Sequence, residues 1–472
     1  MLFNSFSFLV FFPIVCIIYF ILPDKIRWGW LLLSSCIFYM AYIPWFILVI
    51  ASTIVIDYFA GRWIESSTGA RRKHFLLGSL MANIGILFFF KYFHFFTDNI
   101  ISLAGQFNIS LQQPNWHILL PVGLSFHTFQ AMSYTIEVYR GNQTSEKHFG
   151  MYALYVMFFP QMVAGPIERP QHMLPQFHAP HIFDEARIVS GLRLMLWGFF
   201  KKIVIADRAA IIVDQVYGSP HNYGGLAIIW SSILFAFQIY CDFSGYSDIA
   251  IGAARVLDFK LMTNFKRPYF SASITEFWHR WHISLSSWFR DYLYIPLGGS
   301  HINISRTVMN LFITFLISGL WHGADWKFVI WGGLNGFFIV IEYVWKKNLW
   351  PTPFKYLPKF AGILWTFLLI TISWIFFAAH TVKDAFYMLT KLTSIAGFSF
   401  EWKGVILNKD SIMACLFIFI FITVEYLQEK SVKINLLQVQ PTWIRWSVYI
   451  ILIWIIFLFG QFSERQFIYF VF

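Results

Sequence analysis

Charge is scarce in these 472 residues: 12% are Asp, Glu, Lys or Arg, against 58% hydrophobic and 21% aromatic, with a mean hydropathy of +0.60. Soluble domains carry about 25% charged residues. Half that value, with apolar runs of bilayer length, points away from a soluble globular protein and toward a polytopic helical membrane protein. Cysteine is nearly absent. Cys16, Cys36, Cys241 and Cys415 lie in or beside apolar runs without a Cys-x-x-Cys pair, so neither a disulfide framework nor a zinc site is indicated. No long polar, Pro-rich or Ser-rich linker interrupts the runs, which favours one membrane-embedded domain over residues 1–472. Gly-rich phosphate loops, Gly-x-Ser-x-Gly elbows and metal-ligand spacings are missing, and no metal is expected. The run Phe8 to Leu22 has no basic residue before it and no Ala-x-Ala-like end, so it reads as an uncleaved span.

What charge there is lies mostly between the runs. The formal balance of +11 therefore speaks of topology and contact with anionic lipids, and no nucleic-acid partner is expected. Arg62, Arg71, Arg72 and Lys73 place the loop 62–74 in the cytoplasm, and counting back puts the Lys25/Arg27 turn inside and the N terminus outside. Thr97 to Trp116 and Tyr217 to Gly225 contain no Lys or Arg and read as external. Lys91, near the far end of Phe75 to Phe96, reads as a snorkelling residue. Tyr152 to Val163 is too short to cross and has basic residues on both sides, which suggests a re-entrant segment. Leu192 to Val216 carries Arg193, Lys201, Lys202, Asp207 and Arg208, either snorkelling or paired inside the bundle. Leu226 to Tyr240 returns inward. The windowed total is about a dozen spans, with Thr381 to Asp410 fitting the parity poorly.

Four stretches carry unusual chemistry. Ser318-Gly-Leu-Trp-His-Gly-Ala-Asp325 breaks two apolar runs, with His322 at its centre; Gly319 and Gly323 supply conformational freedom for such a break. An imidazole at that depth is a functional candidate, the alternative being a turn whose His caps a carbonyl. Glu276 to Asp291 predicts one amphipathic helix, with Trp278, Trp281, Leu285, Trp288 and Tyr292 on an aromatic stripe. Glu276, Arg280, Ser284, Ser287 and Asp291 share a polar face. Membrane-surface anchoring explains that pattern but leaves His279 and His282 without a purpose. Asp242-Phe-Ser-Gly-Tyr-Ser-Asp248 is either a polar helix end capped by Asp242 or the lining of a buried path through Asp242, Ser244 and Asp248. The tail 466–472, with its lone hydroxyl on Tyr469, is either an interfacial aromatic anchor or a segment folded back into the external mouth.

These residues resemble the membrane-bound O-acyltransferase superfamily, in the bacterial branch of the alginate O-acetylation and teichoic-acid D-alanylation membrane proteins. The resemblance runs over nearly the whole chain, with a signature core at about 118–345. It is carried by Leu120-Pro-Val-Gly-Leu-Ser-Phe126, Ala164-Gly-Pro-Ile-Glu168, Asp242-Phe-Ser-Gly-Tyr-Ser-Asp248, Trp281-His-Ile-Ser-Leu-Ser286, Phe289-Arg-Asp-Tyr-Leu-Tyr-Ile-Pro-Leu-Gly-Gly299 and Leu320-Trp-His-Gly323. His127 departs from the aromatic residue expected beside the first motif. The resemblance implies an all-α bundle around a central tunnel, with His322 as the catalytic histidine and His282 as the second signature residue. Asp242, Ser244, Asp248, Glu276, His279, Arg290, Asp291 and Asp325 are then tunnel or supporting polar groups. It further implies a multi-pass protein of the bacterial cytoplasmic (inner) membrane that takes an acyl group, plausibly from acetyl-CoA, at the cytoplasmic face. The acyl group would pass to an envelope polysaccharide with the help of an external SGNH, hydrolase-like transferase. Tyr469 becomes a candidate acyl relay, its phenol deprotonated by His322. D-alanyl or other acyl transfer, a transporter and a scaffold are the competing readings.

Overall fold

A computed structural model describes residues 1–116, 118–163, 165–301, 303–347, 358–393, 403–430, 441–462 and 465–468. All regular structure among them is helical. Eight helices are long and apolar enough to cross a membrane: Pro44–Ser66, Ala70–Gln106, Gly225–Val256, Ile304–His322, Trp326–Lys346, Lys359–Ala378, Lys409–Lys430 and Thr442–Phe459. Phe6–Ile21 is apolar but shorter. The remaining runs windowed from the sequence fall in shorter helices or in segments broken by charge.

The central element is Gly225–Val256, 32 residues long. The sequence reading ended this span at Tyr240. The helix instead runs four turns further and carries Asp242 and Ser244 into the buried interior, with Asp248 half-buried beyond them, so Asp242 is no terminal cap. Its antiparallel partner is Glu185–Phe199. Glycines on both helices face each other's backbone: a Cβ on Gly191 would lie 2.7 Å from the Gly252 carbonyl oxygen, and one on Gly198 2.6 Å from that of Gly245. Lipid tails are as apolar as leucine, so such close backbone approach, with its van der Waals contacts, replaces the hydrophobic drive available in water.

The register set by these glycines decides the fate of the lysines that follow. The partner helix widens into a π-helical turn, Phe200–Ala206, and both lysines on it point into the bundle. Lys201 reaches Asp248 at 2.7 Å and the Ser244 hydroxyl at 3.0 Å, while Lys202 reaches Asp242 at 2.6 Å and Asp207 at 2.8 Å. Pairing, not snorkelling, accounts for Lys201, Lys202, Asp207 and Arg208, the last through Asp410 at 2.5 Å. A buried charge is tolerated only where such partners and hydrogen bonds compensate its desolvation.

Tyr152 to Val163 does not form a spanning helix; it lies in two short, buried helices. Phe149–Met157 and Phe159–Met162 enter the bundle: the Gln130 amide donates to the Tyr155 carbonyl at 2.5 Å, and Gly123 packs on the Met162 carbonyl. The chain then returns, and the Tyr155 hydroxyl donates to the Glu168 carbonyl at 3.0 Å.

Gly245→Val places branched carbons where Gly198 O, Lys202 N and Lys201 Cβ stand at 2.8, 3.1 and 3.2 Å. Overpacking of this kind costs about 1–3 kcal/mol. The expected result is a clearly lower melting temperature in detergent. Gly78→Ala, where nothing lies within 4 Å of the added carbon, leaves it unchanged or slightly raised.

Candidate active site

The site is assembled from two broken elements. His322 is the last residue of Ile304–His322, and the next helix begins at Trp326. Gly323 is extended, at φ −161°, so the break does not call on glycine for left-handed backbone. The glycines serve proximity instead. A side chain on Gly323 would collide with the Phe328 ring, and one on Gly319 with the Phe328 carbonyl and, at 2.9 Å, with the Gly332 Cα. The hairpin therefore closes backbone to backbone and presses His322 into an aromatic box. Its ring meets Trp331 edge-on at 4.9 Å, Trp321 at 5.1 Å and Phe377 at 5.5 Å, and only 4% of the residue is exposed.

The second element is the stretch expected to be one amphipathic helix. It is two, Ile274–Arg280 and Ile283–Phe289, broken at Trp281 and His282. The apolar stripe survives, since Trp278, Trp281, Leu285 and Trp288 are all buried, but periodicity carried no sign of the break. His282 adopts φ +44°, ψ +54°, a left-handed conformation that costs a non-glycine residue roughly 1–2 kcal/mol. The cost is offset by a residue that the sequence reading passed over, Asn264. Its side-chain oxygen accepts from the Ser284 amide at 3.2 Å and the Ser284 hydroxyl at 2.9 Å, and stands 3.1 Å from His282 Nδ1. The Ile283 amide donates to the Asn264 carbonyl at 2.9 Å. The Ser284 amide can only donate, which fixes that side-chain atom as the oxygen, so His282 Nδ1 must carry the hydrogen. The acceptor nitrogen is then Nε2. His282 lies outside the spanning helices, and its burial pushes the ring down to about 3, so it is neutral.

Both histidines line one cavity of about 260 Å³. Leu311, Thr314, Phe315, Ser318 and His322 form one wall, a single helix face that spans roughly 16 Å along the axis. Trp278, Trp281 and Leu285 form much of the opposite wall, and the exposed side chains of His279 and Arg290 stand on the rim. The rim is tied to the basic loop Lys260 to Arg267, because the Lys266 amide donates to the Arg280 carbonyl at 2.9 Å. At the other end, Trp326 donates to Asn99 at 2.9 Å, on the helix leading to the Lys- and Arg-free loop. The cavity thus joins a rim bearing exposed His279 and Arg290 to the buried His282 and His322.

Other candidates lie elsewhere. Asp242, Ser244 and Asp248 belong to the lysine cluster, which borders the site at Phe243, whose ring meets His282 edge-on at 4.5 Å. Glu276 accepts from the Ala272 amide at 2.8 Å, Ser273 caps the same helix, and Arg280 holds the carboxylate at 2.7 Å. Asp291 faces Arg169 at 3.2 Å. Asp325 caps the helix after His322 through the Lys327 amide at 2.9 Å. Tyr469 lies outside the described residues. The tail before it is seated in the bundle: Phe467 packs on Phe243 at 5.2 Å, and the Ile468 amide donates to Asp242 Oδ2 at 2.8 Å. No group of His, Cys, Asp and Glu able to hold a metal occurs among the described residues.

Two buried imidazoles thus share one largely apolar cavity. The chain is also similar to known proteins. The model of the membrane-bound O-acyltransferase family matches residues 142–389. A probable alginate O-acetylase from Pseudomonas aeruginosa is 37% identical over 419 residues, covering 87% of this chain and 78% of that protein. A peptidoglycan O-acetyltransferase from Helicobacter pylori is 34% identical over 399 residues, covering 78% and 74%. A teichoic acid D-alanyltransferase from Streptococcus thermophilus is 27% identical over 282 residues, covering 54% and 68%. The chain belongs to the membrane-bound O-acyltransferase family and is a multi-pass membrane protein.

Asn264→Ala leaves Ser284 and His282 without their shared acceptor, a loss of about 1–3 kcal/mol at a buried site. Acyl transfer is expected to fall at least tenfold and to match His282→Ala, with both proteins still present in the membrane at normal abundance. Activity of Asn264→Ala near wild type would remove Asn264 from the site.

Proposed function

We propose that this protein moves an acetyl group from a cytoplasmic thioester, acetyl-CoA, across the bacterial cytoplasmic membrane for O-acetylation of an envelope polysaccharide. The observation that carries this reading is the placement of His322 and His282 on one cavity whose rim bears His279 and Arg290. A narrow apolar cavity suits the slender thioester arm of such a donor, and a rim bearing Arg290 and His279 suits its anionic head. The names of the relatives, which act on alginate, peptidoglycan and teichoic acid, favour an envelope polymer as the destination.

The chemistry assigned to His322 is proton transfer. Imidazole takes the proton of an acceptor hydroxyl as its oxygen attacks the thioester carbonyl. The carbon–sulfur bond breaks, and the same proton passes to the departing thiolate. A base of this kind is worth roughly 100- to 10,000-fold in rate. His282, held neutral with Nε2 as acceptor, orients donor groups in the same cavity. An external hydrolase-like transferase would complete delivery to the polymer. The seat of Ile468 on Asp242 favours a relay over a surface anchor for the tail. In that relay the phenol of Tyr469 loses its proton to His322, takes the acetyl group from the thioester and hands it on.

His322→Ala is expected to remove polymer-linked acetate, measured by chromatography after mild base release, with normal membrane abundance. Unchanged acetate would favour a scaffold. Tyr469→Phe is expected to retain packing and lose polymer acetate; full acetylation would eliminate the relay.

A further inference from the structure

Lys91 interrupts the aromatic run Phe88-Phe-Phe-Lys-Tyr-Phe93. The sequence places it near the end of a span, where a lysine ordinarily reaches for the surface. It does the opposite here. Its Nζ donates to the Trp321 carbonyl at 2.8 Å and to the His322 carbonyl at 3.0 Å, and it sits 5.8 Å from the centre of the Trp321 ring. The Tyr92 hydroxyl donates to the Leu320 carbonyl at 2.9 Å. Two neighbouring side chains on one helix therefore satisfy three successive carbonyls at the end of another.

Those are carbonyls that no helix can satisfy for itself. The last four C=O groups of a helix have no partner inside it, and in a bilayer an unsatisfied group costs several kcal/mol. Elsewhere a following turn commonly supplies the bonds, but Gly323 is extended and closes none of the usual glycine caps. The donors come instead from Phe88–Tyr92, where the helix Ala70–Gln106 passes through a π-helical turn. A π-turn places one residue more than an α-turn in the loop of chain and so lets adjacent residues, Lys91 and Tyr92, serve the same partner. Such bulges recur at functional sites.

Charge adds a second consequence. A helix C-terminus presents about half a negative charge, which favours a nearby cation. Acyl transfer develops negative charge on the oxygen of the attacked carbonyl, and a bare helix end beside His322 would oppose it. An ammonium on the last two carbonyls reverses that local field.

We propose that Lys91 is a positioning residue for His322: it pins the end of the helix that carries the imidazole and offsets the negative pole of that helix where the acyl carbonyl reacts. This rests on the assignment of His322 to proton transfer, and its test separates the two.

Lys91→Met and Lys91→Arg are compared with wild type and His322→Ala in cells and as full-length protein in nanodiscs. Polymer acetate is measured at matched membrane abundance, melting temperature on the purified protein, and backbone hydrogen exchange over residues 318–323. Lys91→Met is expected to lower acetylation at least tenfold at matched abundance, with a lower melting temperature than Lys91→Arg and with the largest rise in exchange in that turn. Lys91→Arg, which keeps donors and charge, is expected to recover at least a third of the activity. Wild-type acetylation in Lys91→Met overturns the proposal. So does an equal loss in Met and Arg variants accompanied by a lower melting temperature, which marks Lys91 as a general structural cation. If wild type and His322→Ala acetylate equally, the functional reading fails on its own account; unchanged exchange in Lys91→Met then rejects the positioning role, and faster exchange upholds it.

Discussion

A helix that ends inside a membrane leaves carbonyls with nothing to bind, and the organisation around His322 answers that constraint. Water cannot reach them in number, so protein must. The answer has two parts. Lys91 and Tyr92 supply donors to Leu320, Trp321 and His322 from a neighbouring helix. Gly319, Gly323 and Gly332 let the chain double back so closely that the imidazole is enclosed as soon as the helix ends. Position and burial share one cause: the residue at the open end of the helix is also the residue walled in by the hairpin.

The same logic recurs at His282. Both histidines stand at breaks, where the backbone itself needs partners, and in each case the partner comes from a distant segment: Lys91 for one, Asn264 for the other. The aromatic residues join the two breaks. Trp288 lies over Phe129 at 3.8 Å with rings nearly parallel, and Phe129 lies over Trp321 at 5.0 Å, so the short helix after His282 is stacked through one ring onto the residue before His322. A shift of either break is transmitted through packed rings, which have few alternative arrangements.

Much of this was legible in the sequence, and what was not has a physical explanation. The helical membrane architecture follows from run length and scarce charge. That the segment around Tyr152 is no spanning helix was visible because its apolar run is too short to cross. His322 stood out as an imidazole at an apolar break. The break at His282 did not, because its aromatic stripe continues on both sides and burial holds the left-handed residue in place through contacts far along the chain. Asn264 and Lys91 were unreadable for the same reason: a polar side chain that bonds to backbone some 20 or 230 positions away leaves no local pattern. Asp242 and Asp248 looked like the end of a span, since their lysine partners lie on another helix and only the register of the facing glycines brings them together.

The central claim is that the acyl donor reaches His322 through the cavity walled by Trp278, Leu311 and Phe315. Bromoacetyl-CoA tests it directly, because its reactive carbon alkylates whichever nucleophile the bound thioester meets. After incubation with the full-length protein in nanodiscs, peptide mass spectrometry locates the adduct. The account predicts modification of His322, suppressed by excess acetyl-CoA and abolished by Leu311→Trp, which narrows the cavity. Adducts confined to residues outside the cavity, with His322 unmodified and no protection by acetyl-CoA, would contradict it.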